Sequence, residues 1–341
     1  MNIIKRIVIT GLMFALASIS MTSCDRETKY ASYLETLIQE TANDEFPVVP
    51  YEDTESVFNS IELVPNESNN SDYIQREICE ELRSPRGVIS FDGSIIIADF
   101  EDNCLVKLNN RGEIIETIGT IGNAKDEFLH PTGLAAHDNK LYVIDSGNSR
   151  IKVLDNSFNC VNEIPYEASS EESEKYYTDI CVDSDGGIYL SGNYLINSRL
   201  LYFPANNNTP IIVAEHFYGC LSESNGIVFA INSGIIYADI DNQEIGARGY
   251  KNALYRLDAG IIATMIRLPD FAFISSFVVA DESILAISNT YSSIVRINLK
   301  DGTYTETVSM LEEPGDETAI KIIDDNIIIT DGNGIYVYER L

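Results

Sequence analysis

"FLHPTGLAAHDNKLYVIDSGNSRIKVLD", Phe128 to Asp155, is the stretch that decides the fold. An apolar run ends at His137-Asp138-Asn139, residues that suit a tight hairpin turn. The run Leu141–Ile144 follows and closes on Asp145. Ser146, Gly147 and Asn148 break the chain again, and Ile151–Leu154 reads as a third strand. Apolar residues never recur at helical spacing, so three short antiparallel strands are predicted here.

The same pattern returns along the chain: a turn, an apolar strand, and often an Asp at its end. It appears as "FDGSIIIADFEDN" ending at Asp99, as the quoted stretch at Asp145, and as "SDGGIYLSGNY" at Gly192. It continues as "NSGIIYADIDNQ" at Asp239, "DESILAISNTY" at Ser288 and "DDNIIITDGNG" at Asp331. The intervals are 46, 47, 47, 49 and 43 residues. Six units of this length match one four-stranded blade each, so the fold class is all-β, a six-bladed β-propeller of antiparallel blades. Third strands follow as "CLVKLN", "RIKVLD", "RLLYF", "ALYRLD", "SIVRIN" and "GIYVYE". Fourth strands follow in five copies. The sixth copy lacks one, and "FNSIELV", Phe58 to Val64, is expected to supply it and close the ring, leaving no large exposed edge.

Residues 128–155 resemble an NHL repeat through Pro131-x-Gly133, Tyr142-Val143 and Asp145-Ser-Gly-Asn148-x-Arg150. The first copy keeps Pro85-x-Gly87 and Asp99 but replaces the Gly-Asn-x-Arg part. The remaining copies keep only period and apolar pattern. The whole chain is similar to the six-bladed propeller lipoproteins of Bacteroidales-type bacteria. That resemblance implies a fold and not one activity. In the motif itself, Asp145 is expected to accept N–H bonds from the turn after it and Gly147 to adopt positive φ there. Arg150 is expected to tie the turn to a carbonyl or to Asp145.

The N-terminus is expected to be processed. Lys5 and Arg6 precede an apolar run, Ile7 to Met21, that is short for a membrane span. It ends Met21-Thr22-Ser23-Cys24, which resembles a lipobox, so Cys24 would carry the lipid. A plain signal peptide cut near Ser23 is the alternative. The expected order is a leader over 1–23, a tether over 24–55 and the propeller over 56–341. The tether is polar and acidic, with Pro47 and Pro50. Such a protein belongs to a bacterial cell envelope, at the outer membrane or cell surface rather than the inner membrane.

The net charge is −30, which repels phosphate backbones and argues against nucleic acid as a partner. Five cysteines follow Cys24: Cys79, Cys104, Cys160, Cys181 and Cys220. Their number is odd and their spacing fits neither a disulfide scaffold nor a zinc site.

In propellers the loops entering each inner strand share a face with those joining second to third strands, around the channel mouth. Counting back from the strand ends places Arg86, Thr132, Asp179, Gly226, Ser275 and Thr318 at the inner entrances. Arg86 and Asp179 are the only charges there, and can pair across the mouth or hold a polar ligand. The second-to-third loops add Phe100, Tyr194 and Tyr291. The longest insertion, Asp241 to Asn252, adds Arg248 and Tyr250. Aromatic rings on such a rim can stack on sugars or grip peptides. Ordinary solvated loops are the plainer alternative.

Some six-bladed relatives are metal-dependent lactonases or lyases. Here only His130 of three histidines approaches the mouth, which disfavours a histidine zinc site. No cofactor is implied, although Asp179 with main-chain carbonyls leaves a channel Ca2+ open. "DSDGG", Asp183 to Gly187, imitates an EF-hand start but lacks its Glu and aligns with hairpin turns. No GxSxG or phosphate loop is present. The sequence therefore favours a binding or scaffold protein that presents a propeller face to a glycan, peptide or envelope protein. The alternative is a channel-centred lactonase- or lyase-type enzyme.

Overall fold

The computed structural model describes residues 73–79, 81–109, 111–167, 177–192, 199–215, 217, 219–232, 235–239, 244–248, 253–267, 274–280, 283–288, 293–299, 304–309 and 318–340. The leader, Cys24, the tether and Phe58–Val64 lie outside them. Among the described residues no helix is long and apolar enough to cross a membrane.

Six antiparallel four-stranded sheets form six blades. Their inner strands are Pro85–Phe91, Pro131–His137, Asp179–Val182, Gly219–Ser224, Ile274–Ala280 and Ala319–Ile323. In the second blade the order outward is Pro131–His137, Lys140–Asp145, Arg150–Leu154 and Cys160–Pro165. Middle strands such as Ser94–Asp99 are buried at every position because a neighbouring blade covers each face. Apolar clusters accordingly sit between blades. One joins Tyr142, Ile144 and Val153 of the second blade to Ile180, Ile188 and Phe203 of the third.

Two expectations are corrected. The ring is closed by Tyr73–Ile78, paired antiparallel with Ile335–Arg340 from Tyr73↔Arg340 to Ile78↔Ile335. The closing role was right and the segment wrong. "YIQREI" carries little apolar signal, because an outer strand has solvent along one edge.

The fourth blade also differs. Its second strand is Ile227–Asn232, which pairs with Gly219–Ser224 on one side and Ala253–Asp258 on the other. The stretch ending at Asp239 is instead half of an inserted hairpin, Ile235–Asp239 against Glu244–Arg248. This extra strand imitates the repeat. Gly226 consequently lies in the first-to-second turn, at φ 77°, on the face opposite the mouth. The fourth inner strand starts at Gly219, where Cys220 lines the channel.

The Pro-x-Gly pairs now have a packing reason. A Cβ on Gly87 would collide with the Thr132 carbonyl oxygen of the next blade. One on Gly133 would stand 2.8 Å from the Thr178 carbonyl oxygen and 3.1 Å from Asp179 Cα. Glycine lets successive inner strands approach closely around the axis.

Candidate functional site

The channel residues are placed by a chain of ties between neighbouring blades. Thr132 Oγ1 donates to the Tyr177 carbonyl at 2.8 Å, and Asp179 Oδ2 accepts from Leu221 N at 2.7 Å. Ser222 Oγ accepts from Val279 N, and Ser276 Oγ accepts from Ile320 N, both at 3.2 Å. Ser275 and Thr318 share a 2.7 Å hydroxyl contact. Thr330 Oγ1 donates to the Arg86 carbonyl, joining the last blade to the first. Polar residues recur at the inner entrances because each satisfies a backbone or hydroxyl group of its neighbour in a crowded channel.

Arg86, Thr132, Asp179, Ser275 and Thr318 line one cavity of about 30 Å3. That is room for about one or two waters. Lys321 lines it too. Sequence reasoning missed this cation because it sits mid-strand in "AIKII". The signal was its even spacing from Ala319, which puts both on the same side of the strand.

The Asp179 carboxyl is pushed above its ordinary value by burial. Lys321 and the N–H groups of Leu221 and Ile180 pull it back. Cys220 beside it has its thiol pushed far up by burial and by the Asp179 charge. Both Asp179 oxygens accept backbone N–H bonds, the second from Ile180 at 2.9 Å. With Lys321 and Arg86 in the same cavity, this donor set suits a cation poorly. No group of three or more His, Cys, Asp or Glu among the described residues is arranged to hold a metal.

Above the channel a three-part stack joins the first two blades. The Arg86 guanidinium carbon lies 3.3 Å from the Phe100 ring centroid. Phe100 stacks on His130 at 4.4 Å with the planes 12° apart. His130 is held by its backbone N–H to Asn103 Oδ1 at 2.9 Å, while its carbonyl accepts from Ser146 Oγ. Arg86 and Phe100 were expected at the mouth and are brought together there. Tyr194, Tyr250 and Tyr291 lie outside the described residues, as does the Arg248 side chain; the Arg248 backbone ends the inserted hairpin.

The second-blade motif builds the adjoining loop. Asp145 accepts from Leu129 N at 2.7 Å, Asn148 Nδ2 at 2.9 Å and Arg150 Nε at 2.7 Å. Its backbone donor thus lies in the loop before the strand pair, not in the turn after it. Gly147 does not have positive φ; that falls on Ser149, at 52°. Gly147 is small because a Cβ there would meet Leu129 Cγ at 2.5 Å. Arg150 ties both ways, to Asp145 and through Nη2 to the Ala124 carbonyl at 3.1 Å. Lys152, fully buried, donates to the carbonyls of Ala124 and Lys125 at 2.9 Å each and to that of Glu127. Asp99 does for the first blade what Asp145 does for the second, accepting from Arg83 N and Ser84 N. Asp331 instead holds the turn after it, accepting from Asn333 N and Gly334 N at 2.9 Å. Asp183 likewise organises its hairpin turn, accepting from Asp185 N and Gly187 N.

Residues 128–154 match the family model of the NHL repeat. No curated protein matches the chain. Among solved structures it is similar to a gluconolactonase of Xanthomonas campestris, at 10% identity and TM-score 0.57, over 78% of this chain and 89% of that one. A luciferin-regenerating enzyme is similar at 12% identity and TM-score 0.54, over 79% and 96%. The calcium-binding protein regucalcin of Agrobacterium tumefaciens is similar at 13% identity and TM-score 0.53, over 78% and 93%. At such identities the likeness is one of fold. The chain is a six-bladed β-propeller with an NHL repeat in its second blade.

Proposed function

We propose that this protein is a lipid-anchored binding protein of the bacterial cell envelope, whose channel-mouth face receives a glycan, peptide or protein. The observation that carries the reading is the Arg86–Phe100–His130 stack, a pre-ordered cationic and aromatic surface above a channel of about 30 Å3. A ligand is met at the rim, because the space below admits little more than water. The lipobox-like Met21-Thr22-Ser23-Cys24 supports the anchor. The test is a binding screen of the full chain against envelope glycans, peptides and proteins, repeated with Phe100→Ala and His130→Ala. Loss of a bound partner in both variants supports the reading, and unchanged binding refutes it. For the anchor, labelling with a fatty-acid analogue should disappear in Cys24→Ala.

A second reading is favoured by one observation. Asp179, its carboxyl raised by burial, shares the cavity with Lys321 and Arg86, a combination suited to acid–base chemistry on a water held there, with the lactone at the rim above it. In this reading the chain is a lactonase- or lyase-type enzyme. Hydrolysis of aldonolactones abolished by Asp179→Asn would establish it in place of the binding role.

A further inference from the structure

We propose that the groove between the second and third blades, on the face opposite the mouth, binds a neutral oligosaccharide. This solvent-open groove offers about 610 Å3, within the range of small-ligand sites and far above the channel's 30 Å3. One rim is the hairpin turn His137–Lys140, and the other is the turn that begins at Pro204. The floor is apolar, with Tyr142, Ile164, Ile188 and Phe203 all buried.

The third-blade rim is built rather than incidental. The turn from Pro204 to Pro210 is longer than its counterparts 109–113, 155–159 and 259–260 in the first, second and fourth blades. Proline at each end fixes the backbone there. Asn207 N donates to the Pro204 carbonyl at 2.9 Å, and Asn207 Oδ1 accepts from Thr209 N at 3.0 Å. A longer turn held this firmly gives the groove a fixed wall before any ligand arrives.

The lining selects the ligand class. Five asparagines face the groove: Asn139, Asn162, Asn206, Asn207 and Asn208. Each amide carries both donors and an acceptor, which matches hydroxyl groups that need both, although the Asn207 oxygen is already engaged by Thr209 N. Anions are opposed by Asp138, Asp155 and Asp185 on the wall. Cations fare little better, because the carboxylates are partly committed. Asp155 Oδ1 holds the N–H groups of Ser157 and Asn159 at 2.9 Å each, and Asp138 Oδ2 lies 3.5 Å from His137 Nε2. Lys140 adds a positive charge to the same rim. Val161, 53% exposed, and Pro204 and Ala205 add apolar surface to the lining for the C–H face of a sugar ring. This inference is independent of the mouth and of the lipid anchor.

The test is calorimetric titration of the full chain with short neutral oligosaccharides of glucose, mannose, xylose and N-acetylglucosamine. Spermidine and a lysine-containing peptide serve as cationic probes. At least one oligosaccharide should bind. Its affinity should fall by at least about tenfold in Asn162→Ala combined with Asp185→Ala, through lost hydrogen bonds. Arg111→Ala, an exposed change in a first-blade turn, should leave it unaltered, and thermal unfolding should show all variants folded. The proposal is overturned if no oligosaccharide binds, if only the cationic probes bind, or if the groove variant binds as well as the parent. Loss confined to Phe100→Ala would move the sugar to the mouth and overturn it as well.

Discussion

Asp145 and Arg150 stand directly opposite each other in the second blade, joined by a 2.7 Å hydrogen bond from Nε to Oδ2. Asp145 is wholly buried and the Arg150 side chain is 12% exposed. Arg150→Ala leaves the buried Asp145 carboxylate without its cation and should cost about 3–5 kcal/mol in urea unfolding, whereas Asp145→Ala leaves Arg150 its 3.0 Å pair with Glu163 and should cost less. The double variant should cost clearly less than the two added together, because the bond joining the two residues is lost only once.

Lys152 concentrates a different kind of stability. Its ammonium group satisfies three loop carbonyls and lies 4.5 Å from the Phe128 ring centroid. Lys152→Met keeps the volume and abandons the carbonyls, at a cost of about 2–4 kcal/mol. Hydrogen exchange should quicken first at the amides of 120–128, ahead of the blade strands.

The folded Asp179 carboxyl titrates above its unfolded value. The folded state therefore holds more protons than the unfolded state between those two values, and stability falls as pH rises through that window. The contribution is complete below the unfolded value and gone above the folded one. Urea unfolding of the parent across mildly acidic pH should show this downward component, and Asp179→Asn should lack it. Equal slopes in the two proteins would contradict the assignment.

Gly87 and Gly133 rank the closeness of the inner strands. A methyl at Gly87 meets a backbone oxygen that cannot turn aside, whereas one at Gly133 is slightly less crowded. Gly87→Ala should lower stability by about 1–3 kcal/mol or more, and Gly133→Ala by less, as read from thermal unfolding. The reverse order would mean that the first two blades give way more easily than the second and third.

Blade number and order were legible in the chain because middle strands are covered on both faces and print a run of apolar residues. "SIIIAD" and "KLYVID" are read without effort for that reason. Outer strands such as "IIVAE" and "IIATMIR" also print apolar residues, but without the same burial. Ile115 is 55% exposed and Ile261 is 67% exposed, so apolar content there does not report burial. The closing strand was accordingly placed at Phe58–Val64 when Tyr73–Ile78 holds the position. The fourth blade misled for the opposite reason: Ile235–Asp239 repeats the middle-strand pattern in a hairpin that belongs to no blade. At the mouth, Arg86 and Asp179 were found by counting. Lys321 was hidden in an apolar strand, and the stacking of His130 on Phe100 depends on two blades meeting, which spacing alone does not reveal. The groove between the second and third blades had no signal at all, since its walls come from five separate stretches of the chain.

The sixth sheet takes its outermost strand from one extremity of the ring and the other three from the opposite extremity. Tyr73 and Arg340 are directly paired, which brings their backbones to about 5 Å. A rearranged gene that moves the Tyr73–Ile78 segment behind Arg340 through a short loop would preserve every pairing while making that sheet a continuous meander. The native order instead makes completion of the circle wait for the first and last strands of the ring to find each other. Chain entry and exit meet at one seam, and it is there that the whole ring can be opened or sealed.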